Sequence, residues 1–200
     1  SDKGPLEIET KAGTMIVWPL CENGQVTHVR VDMGIPKLNP NDIPVLLNSS
    51  YKKAAGPVID YLIDVGEMKL EVTCISMGNP HAITFLNSPV NEFPLERIGP
   101  LVETHPAFPE KVNFSIVNQL NRKQLRSRVW ERGAGMTMAC GTGACAALVA
   151  AHQRNLCDRE AEIHVDGGAM RVEWKDNDHV LLTGPATLAF GGEVDTCSFS

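Results

Sequence analysis

Residues 144–152 read Ala-Cys-Ala-Ala-Leu-Val-Ala-Ala-His, directly after Gly141-Thr142-Gly143, and this run constrains the fold more than any other segment. Alanine-rich sequence has strong helix propensity, and a glycine-bounded start suits a helix N-terminus. This helix has no polar face, so it must be enclosed rather than laid on a surface. The rest of the chain offers strands as the enclosing layer. Period-two alternation marks Leu6–Thr10, Met68–Val72 and Leu125–Val129 as half-buried strands. The 17 Gly and 13 Pro punctuate short apolar segments in the manner of a turn-rich, mainly β chain. A shorter helix is expected around Gly99–Glu103, with Pro100 in its first turn.

An internal similarity adds organisation. Gly13-Thr14-Met15-Ile16-Val17-Trp18 matches Gly168-Ala169-Met170-Arg171-Val172-Glu173-Trp174, and each copy continues into an Asn-containing turn and a second strand. Those strands end in Met33-Gly34-Ile35-Pro36 and Thr183-Gly184-Pro185. Both copies therefore predict a β-hairpin. Far more sequence precedes the second copy than the first, so the first repeat unit is expected to lack most of its upstream half.

Composition bounds the function. With 18 Lys+Arg against 24 Asp+Glu, the net charge of −6 argues against sequence-independent nucleic-acid binding. A content of 43% hydrophobic and 21% charged residues is that of a globular chain. No apolar stretch approaches the roughly 18 residues needed to span a bilayer, and Ser1-Asp2-Lys3-Gly4-Pro5 does not open a signal peptide. The expectation is a soluble cytoplasmic protein without membrane contact. The six cysteines, at 21, 74, 140, 145, 157 and 197, form no CxxC pair and are expected as free thiols.

The segment from Glu131 to Cys145 concentrates the chemistry. Cys140 stands immediately before the Gly-Thr-Gly that opens the buried helix. Free backbone N–H groups and the positive end of the helix dipole meet there, which favours thiolate over thiol and also suits a carboxylate or phosphate. Cys140 is thus a candidate nucleophile or base, against the commoner fate of a cysteine as a small buried hydrophobe. Cys145, inside the helix, reads as packing, as do the other cysteines.

A second cluster, Ser76-Met77-Gly78-Asn79-Pro80-His81-Ala82, follows a strand and precedes another apolar run. There Asn79 offers an amide donor and acceptor and His81 a tunable charge, although Asn-Pro by itself is usually just a turn. Val112-Asn113-Phe114 adds a single amide within a strand pattern. The histidines show no HxH, HExxH or Cys/His spacing, so no metal site is expected. A P-loop lysine and a GxGxxG after a strand are missing too.

Taken in order, MGNPHA (77–82), VNF (112–114), ERGAG (131–135), ACGTGACAA (139–147), DGG (166–168) and TGPA (183–186) make a chain that resembles the diaminopimelate epimerases over nearly its whole length. The resemblance implies an α+β (α/β) fold of two pseudo-symmetric lobes, each a mixed, strongly curved sheet around a central helix, with the site between them. It implies cofactor-independent interconversion of LL- and meso-diaminopimelate, a step of lysine and peptidoglycan-precursor synthesis. In that reaction two cysteines face opposite sides of the substrate α-carbon, one removing the α-proton and the other donating one. Such a proton is very weakly acidic, so the thiolate must be activated and the developing carbanion stabilised.

Residue by residue, the resemblance gives Cys140 the role of the second cysteine and sets Gly141 and Thr142 at the substrate carboxylate. Asn79, Asn113 and Arg132 would hold the substrate, Arg132 suiting a carboxylate through its bidentate fork. Glu131 and His81 would lie near the reacting amine and tune the cysteines. It also implies a homodimer acting on a small-molecule substrate. One departure from the family pattern is Met136 after ERGAG, at a position not expected to touch substrate. A larger one is that no CGNG turn matches the family's first catalytic cysteine, since neither Cys21 nor Cys74 has Gly-Asn-Gly neighbours.

The expected organisation is accordingly a remnant of an N-terminal lobe over 1–33, with a C-terminal strand over about 188–200 packing on it, and a catalytic C-terminal lobe over 34–187. The first catalytic cysteine would then reside in a lobe supplied as a separate chain or segment, leaving this chain alone inactive. Two alternatives stay open. One is another isomerase of the same fold, similar to the phenazine-pathway isomerases or proline racemase, and the other a non-catalytic lobe that binds a dicarboxylate.

Overall fold

The computed structural model describes residues 4–10, 13–49, 51 and 56–193. Among these, twelve strands join one mixed sheet. They are β1 (Leu6–Thr10), β2 (Gly13–Glu22), β3 (Gln25–Asp32), β4 (Val58–Val65), β5 (Met68–Ser76), β6 (Pro80–Phe85), β7 (Asn113–Asn121), β8 (Gln124–Glu131), β9 (Gly135–Thr137), β10 (Glu160–Val165), β11 (Gly168–Trp174) and β12 (Val180–Pro185). Two helices, α1 (Leu95–Glu103) and α2 (Gly141–Gln153), complete the regular structure with a short 3-10 turn at Val90–Glu92.

The spatial order is β1-β2-β3-β12-β11-β10-β8-β7-β6-β5-β4, with β9 hydrogen-bonded to β8. Both predicted hairpins form. Asn23 and Gly24 take positive φ of 51° and 81°, the type I′ geometry that matches strand twist, and so join β2 to β3; β11 pairs antiparallel with β12. The two hairpins meet along β3 and β12, from Leu181 opposite Asp32 to Pro185 opposite His28. Each hairpin is flanked by one more antiparallel strand, β1 or β10, so this half of the sheet reads alike from both sides.

Two parallel steps interrupt the antiparallel pattern. β6 pairs with β7 across a crossover containing α1, and β8 pairs with β10 across one containing α2. Both crossovers step the same way along the sheet but start from strands running in opposite senses, so the right-handed rule puts their helices on opposite faces. Two cores result. Leu95, Ile98 and Val102 of α1 pack with Val72, Phe114 and Ile116, whereas Leu148 and Val149 of α2 pack with Ile83, Val117, Leu125 and Ile163.

The enclosed helix forms as its composition requires, with every residue from Gly143 to Ala151 buried. Three local expectations are corrected. Gly141-Thr142-Gly143 is the first turn of α2 itself, not a turn before it, because Cys140 has extended backbone and caps the helix. Pro100 lies inside α1, which begins at Leu95, four residues before the expected start at Gly99. β1 occupies the predicted Leu6–Thr10 but is exposed on both faces, since neither helix reaches the β1–β2–β3 flap. Across 188–200, residues 188–193 carry no strand and 194–200 lie outside the described residues. No described helix is long and apolar enough to cross a membrane.

Candidate active site

The parallel pairing of β6 with β7 places His81 directly opposite Asn113 at the start of both strands. β8 runs the other way, so its last residue, Glu131, arrives at the same end, and α2 begins there with Cys140 as its cap. The topology thus gathers residues that span 79 to 142 in the sequence.

A hydrogen-bonded chain connects them. The fully buried His81 ring meets Asn79 Oδ1 through Nε2 at 3.0 Å. Asn79 donates through Nδ2 to Thr142 Oγ1 at 3.3 Å, and Thr142 Oγ1 lies 3.5 Å from Cys140 Sγ. Read in one direction, Nε2–H donates to the amide oxygen, the amide N–H to the hydroxyl, and the hydroxyl to sulfur. Burial, assisted by the positive charge of Arg132, lowers the His81 pKa to about 3, so the ring is neutral and suits this donor role.

The sign of the Cys140 shift is opposite to the sequence expectation. Burial is the largest influence and raises the thiol pKa; the Thr142 hydroxyl and the Gly143 amide pull it down, and the Glu131 carboxylate pushes it back up. The net direction is upward. A helix start favours thiolate, but Cys140 is only 8% exposed and shares its surroundings with a carboxylate.

The other predicted residues are less free than the sequence implies. Asn113, itself buried, donates through Nδ2 to Pro80 O at 3.0 Å and accepts from the Arg132 backbone N–H at 2.9 Å, so its amide braces the chain. Arg132 is exposed, with Nη1 bonded to Glu110 O at 2.8 Å. Glu131 accepts from the Thr137 hydroxyl. Gly141 lies in the first turn of α2, where an added Cβ would sit 3.0 Å from Leu182 Cδ2.

Two residues escaped the sequence reading. Glu103, at the end of α1, accepts from Trp130 Nε1 at 2.7 Å and from the Gly133 backbone N–H at 3.1 Å, with Lys111 Nζ at 3.6 Å. Its burial opposes ionisation, but these partners outweigh it and hold the carboxyl below the usual range. It therefore fixes the loop that carries Arg132. Ser115 sits two residues after Asn113, on the same face of β7, with a buried hydroxyl that has no partner. Strand alternation from Asn113 was the available signal.

The five described cysteines are free thiols, and Cys197 lies outside the described residues. Among the described residues no group of three or more His, Cys, Asp or Glu side chains is placed to hold a metal ion.

Comparison with known proteins bears on this geometry. The family model described as diaminopimelate epimerase matches residues 73–189. The diaminopimelate epimerase of Methanococcus maripaludis is 46% identical over 196 residues, covering 98% of this chain and 68% of the relative. That of Acetivibrio thermocellus is 42% identical with the same coverage. Among solved structures, a probable proline racemase from Agrobacterium radiobacter K84 superposes with a TM-score of 0.66 at 16% identity, covering 96% of this chain and 60% of that one, a likeness of fold alone. The chain thus spans about two thirds of the length of its curated relatives and less of this structural neighbour.

Proposed function

The chain belongs to the diaminopimelate epimerase family, and on that premise we propose that its site binds diaminopimelate and that Cys140 exchanges the α-proton on one face of the substrate carbon. The observation that carries the reading is the convergence of a capping thiol, a neutral buried histidine and a carboxylate at the start of α2.

The substrate α-carboxylate lies against the first turn of α2, where the backbone N–H groups of Gly141 and Thr142 have no partners within the helix. Those donors face the charge that grows on the carboxylate as the carbanion forms, so they act more strongly in the transition state than in the ground state. Arg132 and Asn79 hold the distal end, with Asn113 bracing the Arg132 backbone. Glu131 and His81 tune the site, His81 acting on Cys140 through Asn79 and Thr142.

A raised thiol pKa is compatible with this chemistry, because in a two-base exchange one partner must start protonated in order to donate. Cys140 then serves as the donor in one direction and receives the proton in the other. The opposite face needs a second acid/base group. Cys74 and Cys145 are completely buried and Cys157 Sγ is directed to Leu148 O, so none of them provides it. The same raised thiol also favours a second reading, a lobe that holds the dicarboxylate without chemistry.

Exchange of the α-proton of LL- and meso-diaminopimelate in deuterated water separates the two. Cys140→Ala is expected to lose exchange by at least about 10²-fold, the lower range for removal of a positioned acid or base, while retaining ligand binding by NMR titration. Undiminished exchange in the variant assigns the base elsewhere. Binding without exchange in either protein, with the Cys140 thiol also inert to alkylation, supports the non-catalytic lobe. Family membership also supports a homodimer, to be checked by sedimentation.

A further inference from the structure

Beside Cys140 lies a small cavity of about 10 Å³ lined by Ser115, Arg128, Thr137, Cys140, Gly143 and Asp166 among others. Its volume is about that of one water position. The wall mixes apolar groups (Val129, Ala144, Val165) with polar ones, and one of the polar groups is unsatisfied: Ser115 Oγ is fully buried and has no hydrogen-bond partner. A buried hydroxyl left unpaired is costly, and such groups in native proteins are met by protein or by ordered water.

The neighbours do not meet it. Asp166 accepts from Arg126 and from Arg128 Nε, the latter at 3.1 Å, and Arg128 spends Nη2 on Met136 Sδ. Ser115 and Cys140 both approach Gly143: a Cβ built on that glycine would lie 3.7 Å from Ser115 Oγ and 3.3 Å from Cys140 Sγ. The two polar atoms therefore border a common space in which a Cβ would press on the Cys140 side chain.

We propose that this cavity binds one ordered water bridging Ser115 Oγ and Cys140 Sγ, which makes Ser115 a positioning residue for the acid/base thiol. The serine hydroxyl donates to the water oxygen and the water donates to sulfur, giving the thiolate a second side-chain-linked donor besides Thr142. Glycine at 143 keeps the space open. The catalytic part of the inference rests on the reading of Cys140 as the base; the water site itself does not.

The test is the pH dependence of Cys140 alkylation by iodoacetamide, resolved by peptide mass spectrometry, in the wild-type protein and Ser115→Ala. The charged and titratable groups facing Cys140 are Glu131 from β8, Cys145 from α2, and Arg128 and Asp166 across the cavity. Asp166 is held low by its two arginines against its partial burial, and Cys145 is pushed far up by its own burial, so neither titrates in the alkylation window.

Loss of one hydrogen bond to the thiolate moves the Cys140 midpoint up by about half a unit to one unit, or about three- to tenfold slower alkylation at a pH below it. An unmoved midpoint in a folded Ser115→Ala overturns the proposal. A high-resolution crystal structure of the wild-type protein gives an independent reading, in which solvent density bonded to both atoms is expected and a dry cavity is fatal. Neither readout requires turnover, so failure of proton exchange leaves the water site standing, and a dry cavity leaves Cys140 as the base.

Discussion

Thr142 and Glu131 act on the same sulfur with opposite signs. The threonine hydroxyl lies 3.5 Å from Cys140 Sγ and favours the charged form, and the Glu131 carboxylate disfavours it. Removing each should therefore split the variants about the wild type. Thr142→Val is expected to raise the midpoint of Cys140 alkylation and Glu131→Gln to lower it, each by about half a unit to one unit, the worth of one hydrogen bond or one close charge. Shifts of the same sign would show that repacking, not electrostatics, governs the thiol. The place of Cys140 at the helix start was legible, because Gly-Thr-Gly and an apolar helical run follow it directly. The direction of its shift was not. Burial and the approach of Glu131 depend on β8 and α2 meeting at one end of the sheet, and no spacing within 131–145 reports that. The Glu103 contacts to Trp130 and Gly133 were hidden for the same reason, since they bridge 27 and 30 residues.

At the level of elements, two glycines make opposite wagers. Gly99 on α1 lies under the Trp130 indole, and an added Cβ would stand 2.5 Å from Trp130 Cγ. Helix propensity favours alanine there by about 1 kcal/mol, but overpacking of this severity costs about 1–3 kcal/mol. Gly99→Ala should be destabilised in urea unfolding, with Trp130 fluorescence altered as the indole is displaced. Gly143 on α2 is less tight, with Cys140 Cβ at 3.2 Å and Sγ at 3.3 Å from the built atom. There the propensity gain offsets the strain, and Gly143→Ala should keep its unfolding free energy in urea within about 1 kcal/mol of the wild type while proton exchange falls at least about tenfold, as the thiol is pushed off line. A large stability loss would mean that Cys140 cannot yield. Helix α2 was readable because its run is apolar on every side, and the β2–β3 turn because Asn23-Gly24 demands positive φ. Pro100 misled because the cost of a proline inside a helix, one lost N–H and crowding of the carbonyl four residues back, is outweighed here by the packing of Leu95 and Ile98. The span of β1 followed from alternation, but alternation records the possibility of a covered face, and no helix lies against the flap.

For the molecule as a whole, the local repeat in the sequence became the two matched meanders of one sheet, and the larger asymmetry came from crossovers that seat α1 and α2 on opposite faces. His81 sits on the α2 face of that sheet and is buried completely, which ties the site to global stability. Its folded pKa, lowered to about 3 by burial and by Arg132, lies below its ordinary value of 6.5. Below pH 6.5 the unfolded chain takes up a proton that the folded chain refuses, so the stability is complete above 6.5 and is lost as pH falls towards 3. At pH 5 the loss from this one group is about 2 kcal/mol, at about 1.4 kcal/mol per unit. His105, lowered mainly by burial, contributes in the same direction. Glu103 and Asp166, both held below the usual carboxylate range against the effect of burial, lose their contribution only at more acid pH. Urea unfolding at pH 7 and pH 5 therefore isolates the histidines. The wild-type protein should lose stability between the two, and His81→Gln, less stable at pH 7 because it disturbs the bond to Asn79, should lose less. Equal losses in both proteins would mean that His81 takes up a proton without unfolding, and a ring that can do so in place is no fixed donor at the head of the chain leading to Cys140.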